Sequence, residues 1–200
     1  MKKLFAVIAL PLILSLSIFS MAALASPALQ DNPAAGTADQ KSLARIYKEV
    51  RHELVMLPYY SVFDNLGYKV DPDGTVTLIG QVTRPTLKSD AENSVKRIEG
   101  VEKVVNNIEV LPLSPNDDRI RRAVYRAIFR NSVLSQYQMG AVPSIHIIVK
   151  NGNVTLEGAV ARTMDKQVAG IKANGVSGVF GVTNNLTVDE PDKDNKKDKK

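Results

Sequence analysis

Hydrophobic and polar positions run through the same order twice along this chain. Leu43, Ile46, Val50 and Leu54 recur at three- and four-residue spacing, which predicts an amphipathic helix with Ser42 as its candidate cap. Leu66, Tyr68 and Val70 alternate, and so do Val76, Leu78 and Val82, with the turn Asp71-Pro72-Asp73-Gly74 between the two runs. This predicts a β-hairpin. Helical spacing returns at Leu87, Ala91, Val95 and Ile98 behind Thr83-Arg84-Pro85, where proline suits a first turn. Gly100 stands where a left-handed C-terminal residue belongs, and Val104 or Val105, Ile108 and Val110 supply a third strand. The connection from second to third strand predicts a right-handed crossover between parallel neighbours.

The second pass follows the same plan. Ile120, Val124 and Ile128 mark a helix capped by Asp117 or Asp118; Ile145, Ile147 and Val149 mark a strand; Asn151-Gly152 is a hairpin turn. From there the match is direct. Gly74 to Val110 aligns with Gly152 to Val188 at a constant offset of 78, with 15 identities in 37 positions. Such self-similarity marks a duplicated unit. The pairs Gly74 and Gly152, Gly80 and Gly158, and Gly100 and Gly178 are positions that shape a backbone, and no catalytic residue type is repeated with them. The main departure is a longer segment in the second copy, around Ser135 to Pro143.

The predicted fold class is therefore α+β: two tandem units, each helix-strand-strand-helix-strand, with a small mixed three-stranded sheet packed on two helices. Residues 41–111 form the first unit, 112–116 a Pro-bracketed linker and 117–188 the second unit. Ahead of them, Lys2 and Lys3 precede an apolar run over residues 4–24 that ends in Ala23-Leu24-Ala25, the pattern of a signal peptide over 1–25 cleaved before Ser26, with retention as a membrane anchor the alternative. Residues 26–40 read as a flexible leader, and 189–200, with five acids and five lysines, as a disordered tail. The chain has no cysteine, which excludes a disulfide framework, a thiolate nucleophile and a lipoprotein anchor. Export to the periplasm, in soluble form after cleavage, is the expectation.

Charge separates the two units. Residues 40–112 hold ten basic and ten acidic side chains, whereas 117–188 hold nine basic and four acidic ones, a net of plus five. Much of the excess lies on one helix, where Arg119, Arg122, Arg126 and Arg130 cluster opposite Ile120, Val124 and Ile128, and Arg121 falls off that side. Tyr125 and Phe129 flank the basic side. Guanidinium groups chelate phosphate and aromatic rings favour the membrane interface, so this face suits an anionic bilayer. The plainer reading is a solvated helix face with both aromatics at the core edge. Arg84 with Lys88, and Arg162 with Lys166, are matched across the copies near helix starts, where they are candidate secondary anion contacts or fold-supporting polar groups. His52 and His146 lack a partner at metal spacing, Tyr59-Tyr60 is expected to pack beneath the first hairpin, and Met139-Gly140 is a candidate membrane-dipping loop. No catalytic set, metal site or cofactor motif is found, and export argues against nucleic acid as a partner.

The G-x-V-T-L-x-G-x-V hairpin, the helix after it and the G-V-x-x-V-x-N-N-I/L-x-V strand resemble the BON domain, over about residues 41–188. That resemblance implies a small helix-plus-mixed-sheet fold, periplasmic residence, phospholipid binding attributed to the second copy and its first helix, and no catalytic residues. It also implies a link to osmotic and envelope stress. The alternative expectation is a protein-binding module, an adaptor for envelope proteins or a holdase, working through its hairpin edges. Oligomeric state is not legible from the sequence.

Overall fold

The computed structural model describes residues 33–140 and 142–189, the side chains of 33–39 excepted. The expected signal segment, the first part of the leader and the tail beyond Asp189 lie outside the described residues. The first helix, α1, spans Pro33–Val55. It begins well before residue 41, so the leader expected over 26–40 is helical from Pro33 onward, and Ser42 lies inside the helix instead of capping it. Alanine at 34, 35 and 38 favours that extension, and proline is tolerated in a first turn.

Strands β1 (Asn65–Val70) and β2 (Thr75–Val82) pair antiparallel, with Tyr68 opposite Leu78 and Val70 opposite Val76. Helix α2 (Pro85–Val95) then carries the chain to β3 (Lys103–Val110), which runs parallel to β2. The sheet order is β1-β2-β3. Ile46, Val50 and Leu54 of α1 and Leu87, Ala91 and Val95 of α2 are buried against Val76, Leu78, Val82 and Ile108. The helical spacing therefore lines up with the inward positions of the sheet, and apolar burial holds the two layers together.

The second copy contains α3 (Pro115–Phe129), a short 3-10 turn at Ser135–Gln138, β4 (Ile145–Lys150), β5 (Asn153–Val160), α4 (Thr163–Asn174), β6 (Gly181–Asn184) and β7 (Thr187–Val188). Its sheet has the order β4-β5-β6, with β7 also on β5. One third strand was expected here and the chain forms two. The break falls beside Asn185, whose side-chain amide donates to Glu157 Oε1 at 2.8 Å. The first copy has Ile79 where Glu157 stands, and β3 runs unbroken.

The start of α3 also differs from expectation. Ser114, not Asp117 or Asp118, is the cap: its hydroxyl accepts the Asp117 N–H at 3.2 Å, and Pro115 opens the helix. The linker over 112–116 thus gives its last two residues to α3. Asp117 is buried and its carboxylate accepts the backbone N–H groups of Asn151 and Gly152, at 2.9 and 2.8 Å, pinning the β4–β5 turn to the helix.

The two copies touch through the segment before β1. Val62 is buried in the core of the second copy, and its carbonyl accepts the Ile147 N–H at 2.8 Å. The first copy thereby occupies the middle of the outer edge of β4, where unpaired polar groups are open to unwanted pairing. Tyr60 packs, as expected, against the core of the first copy, which includes Val70, Val76, Leu78 and Val82 of the hairpin. Its ring stacks on His146 of β4 with centroids 5.7 Å apart, and burial pushes its hydroxyl up to about 12. Tyr59 stays exposed, and Lys150 reaches Glu109 across the junction at 2.5 Å.

Gly80 and Gly158 have φ of 122° and 110°, and a Cβ there would come within 2.0 Å of the Asn65 and Ser144 carbonyl oxygens. Gly80→Val or Gly158→Val should lower stability by more than about 2 kcal/mol, read in a denaturant melt. A second outcome follows from His146. Burial holds its pKa below the ordinary value, although the Asp64 backbone and charge, the Ser61 backbone and Glu157 oppose this. A lowered pKa means that the unfolded chain takes up the proton first. The contribution of His146 is therefore intact above about pH 6.5 and lost as pH falls below it. Thermal melts at about pH 7.5 and about pH 5.5 should show a smaller acid-induced loss in His146→Phe than in the parent chain.

Candidate functional site

The first helices of the two copies correspond at an offset of 74, which the structure fixes through their polar contacts. Arg45 donates to the Glu99 carbonyl and Arg119 to the Ser177 carbonyl, each just before a matched glycine, at 3.1 and 3.4 Å. Tyr47 donates to the Val70 carbonyl, and Arg121 takes the same part with Val149, at 3.3 and 2.7 Å. Two of the five arginines from Arg119 to the C-cap Arg130 of α3 are thus engaged in the fold. Arg119 is held further by Asn116 Oδ1 at 3.0 Å, and the buried Arg121 by Asp118 at 2.5 Å.

The other three form a stripe at four-residue spacing. Arg122, Arg126 and Arg130 are exposed, and among the described residues no hydrogen bond or ion pair engages their guanidinium groups. Tyr125 is half-buried beside them, with ring centroids 4.9 Å from Phe129 and 6.1 Å from Phe63. Phe129 itself lies in the core, only 5% exposed, because the helix turns it inward beside Ile128. Of the six residues expected to face a membrane, Arg122, Tyr125, Arg126 and Arg130 share one surface. Arg119 is tied to the turn after α4, and Phe129 supports Tyr125 from below.

Two neighbours of this surface carried no signal in the repeat. Val62 and Phe63 come from the first copy and, with Arg122, Tyr125 and Arg126, line a shallow hollow. The lengthened segment of the second copy closes on its other side. Gln138 donates to the Tyr125 hydroxyl, and Tyr137 donates to Asp165 Oδ2 at 2.5 Å while accepting the Ala161 N–H at 2.9 Å. Burial alone would raise the Asp165 carboxyl, but hydrogen bonds from Tyr137 and Arg162 outweigh it and hold the group below its ordinary value. The first copy meets the same need with a buried carboxylate. Asp64 accepts from the Thr83 N–H and hydroxyl at 2.6 and 2.8 Å, whereas its counterpart in the second copy is Pro143. The extra residues therefore deliver Tyr137 in place of the missing acid. Met139, just beyond, is 80% exposed.

The secondary candidates fall in two separate places, one in each copy. Arg84 lies over the Tyr59 ring, 4.7 Å from its centroid, and Arg162 Nε donates to Asp165 at 3.2 Å. Lys88 and Lys166 contribute backbone carbonyls, which accept the side-chain amides of Asn106 and Asn184 at 2.9 and 2.7 Å. All six matched glycines, Gly74, Gly80, Gly100, Gly152, Gly158 and Gly178, have positive φ. Among the described residues, no group of three or more metal-ligating side chains is placed to hold a metal ion, and no helix is long and apolar enough to cross a membrane.

Two small mixed sheets, each backed by two helices and arranged in tandem, define a duplicated α+β fold. The BON domain family model matches residues 43–112 and again 116–190, and the chain belongs to that family. A search of curated proteins gave no match. Among solved structures, similarity is found to CdsD, a structural protein of the Type III secretion system of Chlamydia trachomatis. Identity is 12%, over 76% of this chain and 95% of that one, with a TM-score of 0.31. The C-terminal domain of CdsD gives 13% identity over 72% and 96%, with a TM-score of 0.27. At that level of superposition the likeness carries no functional argument.

Proposed function

We propose that this chain is a non-enzymatic periplasmic protein whose second BON domain binds the surface of anionic phospholipid membranes and supports the envelope under osmotic or related stress. The observation that carries this reading is the stripe of Arg122, Arg126 and Arg130, exposed on α3 and lacking any carboxylate partner among the described residues. A cation row without internal compensation attracts an anionic surface, and each basic residue near such a surface contributes about 1 kcal/mol. Tyr125 adds an amphipathic ring at the same level. The family resemblance supports the same direction, since BON domains are a non-enzymatic family associated with membranes and the periplasm. The alternative, a partner chain added at a sheet edge, loses the middle of the β4 edge, where Val62 already accepts the Ile147 N–H.

Vesicle co-sedimentation tests the reading. The chain beginning at Ser26, free of the apolar run that would itself enter lipid, should sediment with phosphatidylglycerol or cardiolipin vesicles and not with zwitterionic ones. Binding should weaken between low and physiological salt, as expected for exposed charges. Arg122→Glu/Arg126→Glu should reduce it by at least about ten-fold. Absence of binding to anionic vesicles would refute the proposal, and undiminished binding of the double mutant would remove α3 as the site.

A further inference from the structure

Each copy has a groove between its two helices, and the balance of charge in the second has shifted to positive. In the first copy the groove between α1 and α2 is zwitterionic: Arg45 reaches Glu49 at 3.2 Å and Glu99 at 3.4 Å, and His52 lies 3.7 Å from Glu53. At the matching positions the second copy has Ala123, Ser177 and Ala127, so every acid is gone. Cations have been added in their place. Arg126 replaces His52, Arg130 replaces Met56 and Lys172 replaces Ser94. Gly175 stands where the first copy has Arg97, which clears a long side chain from the floor.

The resulting open groove, about 780 Å³, is lined by Arg126, Arg130, Lys172, Gly175 and Val176, with Ile171 at its rim. Among the described residues no ion pair engages any of the three cations. Ile171 is 70% exposed where the first copy has Asn93. A large apolar side chain left in water beside three uncompensated cations matches a ligand that carries both an anion and an apolar part. The geometry points to a site for one phosphodiester headgroup of an anionic membrane lipid, its phosphate held between Arg126, Arg130 and Lys172 and Ile171 entering the adjoining apolar layer. This rests on the membrane reading and adds to it a discrete subsite on α4. Arginine chelates phosphate through paired hydrogen bonds, lysine acts as a point charge, and both serve here.

Amide chemical-shift titration with dihexanoylphosphatidylglycerol below its micelle concentration tests the subsite, with inorganic phosphate as comparator. Shifts should concentrate at 126–132 and 171–176 and saturate, and phosphate alone should bind more weakly. Lys172→Ala should weaken lipid binding about five-fold, and Ile171→Ser should weaken lipid binding but leave phosphate binding unchanged. Both positions are exposed, so folding is checked by an unchanged melt. Shifts confined to Phe63, Arg122 and Tyr125 would overturn the subsite, as would wild-type lipid affinity in both variants. Equal affinity for phosphate and lipid would overturn its assignment to lipid. Vesicle binding that persists in both variants would remove the groove and leave the membrane reading standing, whereas vesicle binding absent from the parent chain would remove both.

Discussion

One side-chain amide in each half ties the third strand of the sheet to the second helix. Asn106 donates to the Lys88 carbonyl and accepts the Ile108 N–H, at 2.9 and 3.2 Å; Asn184 does the same with Lys166 and Leu186, at 2.7 and 3.3 Å. Units of about 70 residues bury a limited core, so a few well-placed polar ties carry weight that a larger domain would spread over more packing. Each such bond contributes about 1 kcal/mol net. With the crossover fixed in this way, the first helix of each copy is held from the side by its own ties, Arg45 and Tyr47 in one and Arg119 and Arg121 in the other. The remaining face of that helix is then free to diverge.

The balance of charge in the second copy has shifted to positive. In the first copy the helix and its groove remain balanced, with Arg45 between Glu49 and Glu99. In the second copy alanine or serine replaces those acids, and arginine replaces His52 and Met56. Exposed pairs of opposite charge contribute little to stability, so the fold loses little by giving them up. Removing them changes the field outside the protein far more than the structure inside it. The first copy contributes in another way: Val62 and Phe63 dock on the second, occupy the middle of the β4 edge and lie against Tyr125. Two copies of one architecture thus divide into a supporting unit and a basic unit.

The repeating apolar spacing made most of this fold legible. The positions Ile46, Val50 and Leu54, and likewise Ile120, Val124 and Ile128, are buried as their periodicity requires. What escaped was set by contacts across the chain. A helical projection places Arg119 beside Arg122 but cannot show the Ser177 carbonyl opposite it, nor that Phe129 turns inward. Asp64 and Tyr137 perform one task from unrelated sequence positions, so alignment of the copies hides both. The division of the last strand into β6 and β7 falls at Asn185, whose side chain meets Glu157, 28 residues away. Val62 and Phe63 lie in a connecting segment with no period to read. The α3–α4 groove was invisible for a similar reason: its cations come from two helices, and its missing acids show only when the copies are superposed.

Restoring the acids of the first copy to the second tests the central claim most directly. Ala123→Glu/Ala127→Glu would place carboxylates three residues before Arg126 and Arg130, the spacing at which helix side chains meet. With the melting transition unchanged, binding to phosphatidylglycerol vesicles at low salt should fall to the level seen with zwitterionic vesicles. Undiminished binding by that doubly substituted chain would contradict the account, because uncompensated charge on α3 would then not be what the membrane meets.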